Sequence, residues 1–288
     1  MRLPCILLSV GLLLLNVAAG AQILPPPDPK QEEVSAGNPG IAPFKWAGML
    51  VVSLSAREIE TCTGQFIAPN VVLTAGHCVR NLAETPAGPW PDLKTAGTFW
   101  LQYQNRSGIP FKILCAETNP LWSLPQNYAQ LASADQDAAL NKAFEHDYAM
   151  LLVDGTSPTG FMPYETDWKG KYTRAARIGY PADILDATVI QKAPGIVFPS
   201  DAIPMGGSPN IVGQWGPVVG ATEGMSGGAW VVHPDPREGK GNNVLIAVSS
   251  FVSVGKKGNI IYPGASFAAY LKAAEFDPLL ASVLNGCH

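Results

Sequence analysis

Gly224-Met225-Ser226-Gly227-Gly228-Ala229-Trp230, continued by Val231-Val232-His233-Pro234, is the stretch whose reading decides the fold. A serine with glycines on both sides belongs to a turn where backbone amides can come close to a bound carbonyl and point at a developing oxyanion. Ser226 is therefore a candidate nucleophile, and the residues after it separate two architectures. In an α/β elbow the serine opens a helix, and the acid and histidine come later in the chain. Here bulky and β-branched residues run on to a proline, the pattern of a strand. Downstream lie only His233, too near, and His288, the last residue. The other arrangement places a histidine first, an aspartate second and the serine last.

The upstream sequence supplies both. Trp46 to Leu54 is the first strand-like run, and Thr63 to Ala68 and Val71 to Thr74 come next around a Pro69-Asn70 turn, as an antiparallel hairpin would. Thr74-Ala75-Gly76-His77-Cys78 ends the second of these strands. Further on, His146-Asp147-Tyr148-Ala149-Met150-Leu151-Leu152-Val153 sets an aspartate immediately before an apolar strand, while Asp154-Gly155 at its far end reads as a turn. A hydroxyl is a poor nucleophile at its free pKa and needs a base within hydrogen-bond reach, oriented by a third group. His77, Asp147 and Ser226 have the residue types and the order for that work.

Thr98 to Tyr103 and Ile109 to Leu114 read as strands around an Asn105-Arg106-Ser107-Gly108 turn, formally a glycosylation acceptor. The alanine-rich stretch Tyr128 to Phe144, within 116–146, reads as a helix or an ordered loop. Pro158 to Arg174 is a crossing loop. After it, Ala175 to Tyr180, Ala187 to Gln191, Gly195 to Phe198, Ile211 to Gly213, Ala229 to Val232 and Val244 to Val254 are short strand candidates separated by turns, the mark of an all-β sandwich or barrel. In the tail, Ser266 to Leu284, the residues Phe267, Tyr270, Leu271 and Ala274 fall at helical spacing.

The chain has 288 residues, of which 47% are hydrophobic, enough for one large or two small domains with a sizeable core. A net charge of −4, 15% charged residues and no basic run argue against a nucleic-acid partner. Residues 1–21 combine Arg2, an apolar run from Ile6 to Leu15 and Ala19-Gly20-Ala21, a signal peptide too short to span a bilayer. Residues 22–40 are proline-rich and read as an exposed leader or propeptide. Loss of the signal removes Cys5 and leaves Cys62, Cys78, Cys115 and Cys287, an even number for an oxidising compartment with three possible pairings. The paired spacing of a structural zinc site is absent around His77 and Cys78.

Thr74-Ala75-Gly76-His77-Cys78 resembles the Thr-Ala-Ala-His-Cys signature of the chymotrypsin-like (trypsin-fold) serine peptidases, with Gly76 for the second alanine. Asp147-Tyr148-Ala149-Met150-Leu151 resembles that family's Asp-(Ile/Tyr)-Ala-Leu-Leu motif, and Ser226 stands in its serine turn. The resemblance runs from about Phe44 to Leu284 and suggests a bacterial-type secreted member. It implies an all-β fold of two six-stranded antiparallel β-barrels, one over 41–165 with His77 and Asp147, the other over 166–288 with Ser226 and a C-terminal helix. It further implies a Ser226-His77-Asp147 triad at the barrel junction, with an oxyanion hole from the amides of Gly224 and Ser226. A Cys62–Cys78 bridge would stand beside the histidine, with Cys115 and Cys287 as the remaining pair.

Departures bear on activation and specificity. Met225 replaces the aspartate that pairs with a new N-terminus in trypsin-like members, as it is also replaced in glutamyl endopeptidases. Gly220, six before the serine, carries no charge for a basic side chain. Reading Ser249 as the serine of the pocket wall puts Val248 where glutamyl endopeptidases carry histidine, and Ser249-Ser250-Phe251 is the expected strand for pairing with an extended substrate. The expectation is a secreted or periplasmic serine endopeptidase, monomeric, not inserted in a membrane, needing no metal or cofactor and acting on a protein or peptide. The alternatives are a binding protein on the same scaffold that has lost catalysis, or a serine esterase.

Overall fold

The computed structural model describes residues 35–55, 58–80, 82, 91–169, 173–199, 211–215, 223–253, 256–257, 260–261 and 265–288. The signal peptide, most of the leader and Gly220 lie outside the described residues.

The first barrel is built from β2 (Ala47–Ser55), β3 (Glu58–Ala68), β4 (Val71–Thr74), β5 (Gly97–Gln104), β6 (Ser107–Thr118) and β7 (Ala149–Val153). They close in the order β2-β3-β4-β7-β6-β5, every pair antiparallel. The turns follow from the residues at them. Pro69-Asn70 joins β3 to β4, and Asn105 and Arg106, both left-handed (φ 49° and 67°), form the tight β5–β6 hairpin whose twist matches the strands. Phe66 packs edge-on against Phe99 and Phe111, with centroids 5.5 and 5.2 Å away, and fills the barrel's centre.

The second barrel uses β8 (Thr173–Gly179), β9 (Gln191–Pro199), β10 (Ile211–Trp215), β11 (Ala229–Val232), β12 (Val244–Ser253) and β15 (Ala265–Tyr270). The order is β9-β10-β15-β12-β11-β8, and β8 pairs back onto β9 to close it. A small hairpin, β13 (Lys256–Lys257) with β14 (Ile260–Ile261), stands apart. On β11, Trp230 and Val232 enter the interior cluster of this barrel, while Ala229 and Val231 join the larger cluster shared with the first barrel. Both faces are buried, which is why the run after Ser226 is apolar without alternation. The fold is two six-stranded barrels with a C-terminal helix, as the motifs implied.

Three expectations need correction. The strand candidate Ala187 to Gln191 is a 3-10 turn at Leu185–Ala187 followed by a single bridging residue, Val189, and β9 begins only at Gln191. Here the chain serves the first barrel, since Asn105 N donates to Thr188 O at 2.7 Å and Val189 bridges to Gln104. The tail is not helical from Ser266: Ala265–Tyr270 is β15, paired with both β10 and β12, and the helix starts at Ala273. Every residue from Ala268 to Leu271 is buried, so a continuous apolar run hid the strand. Finally, part of the leader is attached to the body. Ser35–Ala36 (β1) pairs with β9, and Gly37 N donates to Ile190 O.

Between β6 and β7 the chain forms a 3-10 turn at Tyr128–Gln130 and helix α2 (Ser133–Phe144), preceded in sequence by a short helix α1 (Leu93–Ala96). The C-terminal helix α3 (Ala273–Leu284) buries Phe276, Leu279 and Val283. Among the described residues no helix is long and apolar enough to cross a membrane.

Candidate active site

His77 sits in a 3-10 turn, Gly76–Cys78, directly after β4. Asp147 stands across the β4–β7 seam, between the C-terminus of α2 and β7, and is completely buried. β4 and β7 pair through Thr74↔Ala149, so the turn after one strand meets the turn before the other. The result is a two-point contact. The His77 backbone N–H donates to Asp147 Oδ1 at 2.8 Å, and His77 Nδ1 lies 2.7 Å from Oδ2. A carboxylate accepts, so Nδ1 carries the hydrogen and Nε2 keeps its lone pair.

A second donor reaches the same carboxylate. Ser250, on β12 of the second barrel, donates its hydroxyl to Asp147 Oδ2. The sequence reading grouped Ser249 and Ser250 as substrate-binding residues and took Ser249 for the serine of the pocket wall. The structure puts Ser250 against the acid instead, while Ser249 Oγ turns to Trp230 Nε1 at 2.9 Å. The bulge between Ser249 and Phe251 gives the physical reason, since it re-aims Ser250 out of the ladder. Beyond Ser249, β12 is paired on one side with β15, and β11 has ended at Ala229↔Val248.

The serine turn is clamped to the first barrel by polar groups that the sequence reading did not single out. Thr63 N donates to Ser226 O at 2.7 Å, Thr63 Oγ1 donates to Gly224 O at 2.6 Å, and Gln65 Nε2 donates to Gly227 O at 3.2 Å. Thr63, Gln65 and Thr74 are fully buried, so each hydrogen bond made here offsets a desolvation cost. The glycines are required by this closeness. Gly224 and Gly227 have φ of +84° and +82°, and a Cβ on Gly227 would lie 2.2 Å from Thr63 O, 2.3 Å from Thr74 Oγ1 and 2.9 Å from Ala75 N. Ser226 is thereby set beside the chain that leads into His77. The signal in the sequence was alternation: Thr61, Thr63 and Gln65 are polar on one face of a buried strand.

The hydrogen bonds of His77 run to Asp147, and among the described residues none joins the imidazole to the Ser226 hydroxyl. Such contacts commonly tighten only when substrate closes the site. Likewise, among the described residues no acceptor takes the N–H of Gly224 or Ser226, whereas Gly227 N and Gly228 N are bonded to Ser249 O and Met225 O. Two unused amides at the edge of a clamped turn are suited to an oxyanion.

Electrostatics favour a basic imidazole. Burial pushes the His77 pKa down, but the charge and hydrogen bond of Asp147 push it up, helped by Glu60, and the balance lies above the ordinary histidine value. A quarter of the His77 side chain, 25%, remains exposed and open to a substrate. Trp122 backs the pair: its ring is 6.4 Å from that of His77 and 5.5 Å from Phe144, and its indole N–H donates to Arg80 O.

Cys62 is bridged to Cys78 and Cys115 to Cys287. The sulfurs of Cys62 and Cys78 and a ring nitrogen of His77 lie within 4.8 Å of one another. Both sulfurs are spent in the disulfide, which leaves no thiolate to ligate a metal.

Residues 42–144 match the trypsin family model. No curated protein matches the sequence. The fold is similar to that of a Glu endopeptidase in complex with MPD, at TM-score 0.57 and 18% identity over 87% of this chain and 95% of that one. It is also similar to the thermostable serine protease AL20 from an extremophilic microorganism, at TM-score 0.54 and 20% identity over 82% and 96% of the two chains. Protease Anisep from Arthrobacter nicotinovorans gives TM-score 0.56 and 16% identity over 87% and 100%. The trypsin family model thus covers part of the chain, most of the first barrel, and the two-barrel fold is the one these proteases share.

Proposed function

We propose that this chain is an exported serine endopeptidase that cleaves peptide bonds through an acyl-enzyme formed on Ser226. The observation that carries the reading is the two-point hydrogen bonding of buried Asp147 to His77, beside a serine turn clamped to the same barrel. His77 Nε2 takes the Ser226 proton as Oγ attacks the scissile carbonyl carbon. The amides of Gly224 and Ser226 hold the resulting oxyanion, each donor worth about 3–4 kcal/mol by analogy with measured oxyanion holes. Collapse breaks the C–N bond, and the imidazolium returns the proton to the leaving amine. Water, deprotonated by the same imidazole, then attacks the acyl ester; as the C–Oγ bond breaks the imidazolium returns that proton to Ser226 Oγ, and the carboxylic acid leaves. Asp147 keeps the ring oriented and stabilises its cationic form, and Ser250 and the His77 amide fix Asp147 in turn.

Gln22 onward, exposed to an oxidising compartment, fits the two disulfides and the signal-like residues 1–21. Phe251 to Ser253, paired on one side by β15, would accept an extended peptide. The Glu endopeptidase shares the fold at low identity, so its named preference is not transferred, and the sequence at Gly220 supplies no charge for a basic side chain. The test is a mixed-peptide digest. Wild type is expected to cleave internal peptide bonds, and Ser226→Ala and His77→Ala to leave the library intact. Hydrolysis of esters without peptides would favour the esterase, and an intact library with folded wild type would favour a binding role.

A further inference from the structure

The catalytic acid is flanked by two residues that reach one oxygen of a distant helix. His146 Nδ1 lies 2.8 Å from Glu275 Oε2, and Tyr148 OH lies 3.5 Å from the same atom. A third donor, Asn119 Nδ2, reaches it at 2.6 Å. Glu275 belongs to the first turn of α3, where the helix dipole favours a carboxylate. His146 is almost wholly buried, so its contact is shielded from water.

The three donors are not arbitrary neighbours. His146 and Tyr148 bracket Asp147 in the chain, and Tyr148 N donates to His146 O at 2.8 Å across it. Asn119 N donates to Tyr148 O at 2.9 Å, its side-chain oxygen accepts from Leu121 N, and its carbonyl accepts from Trp122 N. Trp122 is the ring behind His77. One carboxylate thus gathers the turn that carries the acid and the turn that backs the histidine. The helix that presents it is held independently by the Cys115–Cys287 bridge, by Ser282 Oγ donating to Glu117, and by Phe276 under Tyr148 and Tyr164. These ties fix the helix, and its Glu275 carboxylate converges on the residues either side of Asp147.

We propose that Glu275 is a positioning residue for the Asp147–His77 pair, which makes the C-terminal helix part of the catalytic apparatus. The inference rests on the proposed role of that pair. Glu275 touches no substrate; it sets the depth and rotation of the Asp147 turn, on which the reach of His77 Nε2 depends.

The test compares Glu275→Ala and Glu275→Gln in the full chain. Glu275→Ala is expected to lower kcat about 10- to 100-fold while KM moves less than about twofold, because misplacement of a catalytic group by a fraction of an ångström acts on the chemical step. Glu275→Gln, whose amide oxygen still accepts from Asn119 and His146, is expected to recover most of the rate. In an Asp147→Ala background, Glu275→Ala is expected to cost less than about threefold, since both act through one unit. The low-field proton resonance of the His77–Asp147 hydrogen bond is expected in wild type and Glu275→Gln and to broaden or move in Glu275→Ala. Equal losses in both backgrounds, or an unchanged resonance with unchanged kcat, would overturn the proposal. If Glu275→Ala does not fold, His146→Leu carries the same comparison, with Glu275 still bonded to Asn119. The resonance needs no turnover, so a wild type that shows it without cleaving peptides would sink the endopeptidase reading and leave the positioning role standing.

Discussion

Asp147 has each carboxylate oxygen committed, one to the His77 backbone and the other to the His77 ring and Ser250, and this decides how the imidazole titrates. Burial favours the neutral ring, but the adjacent negative charge outweighs it and raises the pKa above the ordinary value. Only the neutral ring accepts a proton from serine, so activity is lost as pH falls through that raised pKa. The acid limb of kcat/KM is therefore expected above the pH at which a free histidine titrates. Glu60, half-buried on β3, adds to the raising field. Glu60→Gln removes that contribution, so the imidazole pKa falls and the acid limb moves to lower pH; a limb that stays put or moves up contradicts this account. The residue types and order of His77, Asp147 and Ser226 were legible in the sequence because each sits at a strand end with a recognisable neighbour. Ser250 was legible as a residue of the site, but the bond of its hydroxyl to Asp147 was not, because a bulge that re-aims one side chain leaves no trace in composition. Glu275 was invisible, since a glutamate in a first helical turn is ordinary there.

At the level of elements, the decisive contact is between strand β3 and the serine turn. Thr63 holds the carbonyls of Gly224 and Ser226 from its hydroxyl and its amide, and so transmits the position of the first barrel to the serine turn of the second. Gly227→Ala tests this contact. Its methyl would overlap Thr63 O and Thr74 Oγ1, at a left-handed φ that costs a non-glycine residue about 1–3 kcal/mol. The expected outcome is a fall of at least about 100-fold in kcat/KM, the scale of a misplaced catalytic group, with the thermal transition retained; wild-type kinetics would show that the clamp is dispensable. Hairpins with tight turns, such as β3–β4 and β5–β6, could be read directly because Pro69-Asn70 and Asn105-Arg106 impose them. β15 could not, because a strand buried on both faces has the same hydrophobic record as the helix after it.

Across the whole molecule, two barrels and a helix are tied by links that sequence distance conceals. Cys115 and Cys287 are separated by 172 residues, so their bridge removes much chain entropy from the unfolded state. Replacing both with serine is expected to lower stability by about 2–4 kcal/mol in urea unfolding, and an unchanged midpoint would show that helix packing alone secures the C-terminus. The all-β class was accessible from short strand candidates separated by turn residues, and the two six-stranded barrels from the family resemblance that the three motifs carry. The attachment of Ser35–Ala36 to β9 was not, since edge pairing through the backbone needs no particular side chain. The account as a whole turns on Ser226 being made nucleophilic by His77 across the barrel junction. The most direct measurement is reaction of the folded protein with a fluorophosphonate, followed by mass mapping of the adduct. A single adduct on Ser226 in wild type, absent from His77→Ala at equal folding, is the predicted result; no adduct in wild type, or labelling of His77→Ala at the wild-type rate, would contradict it.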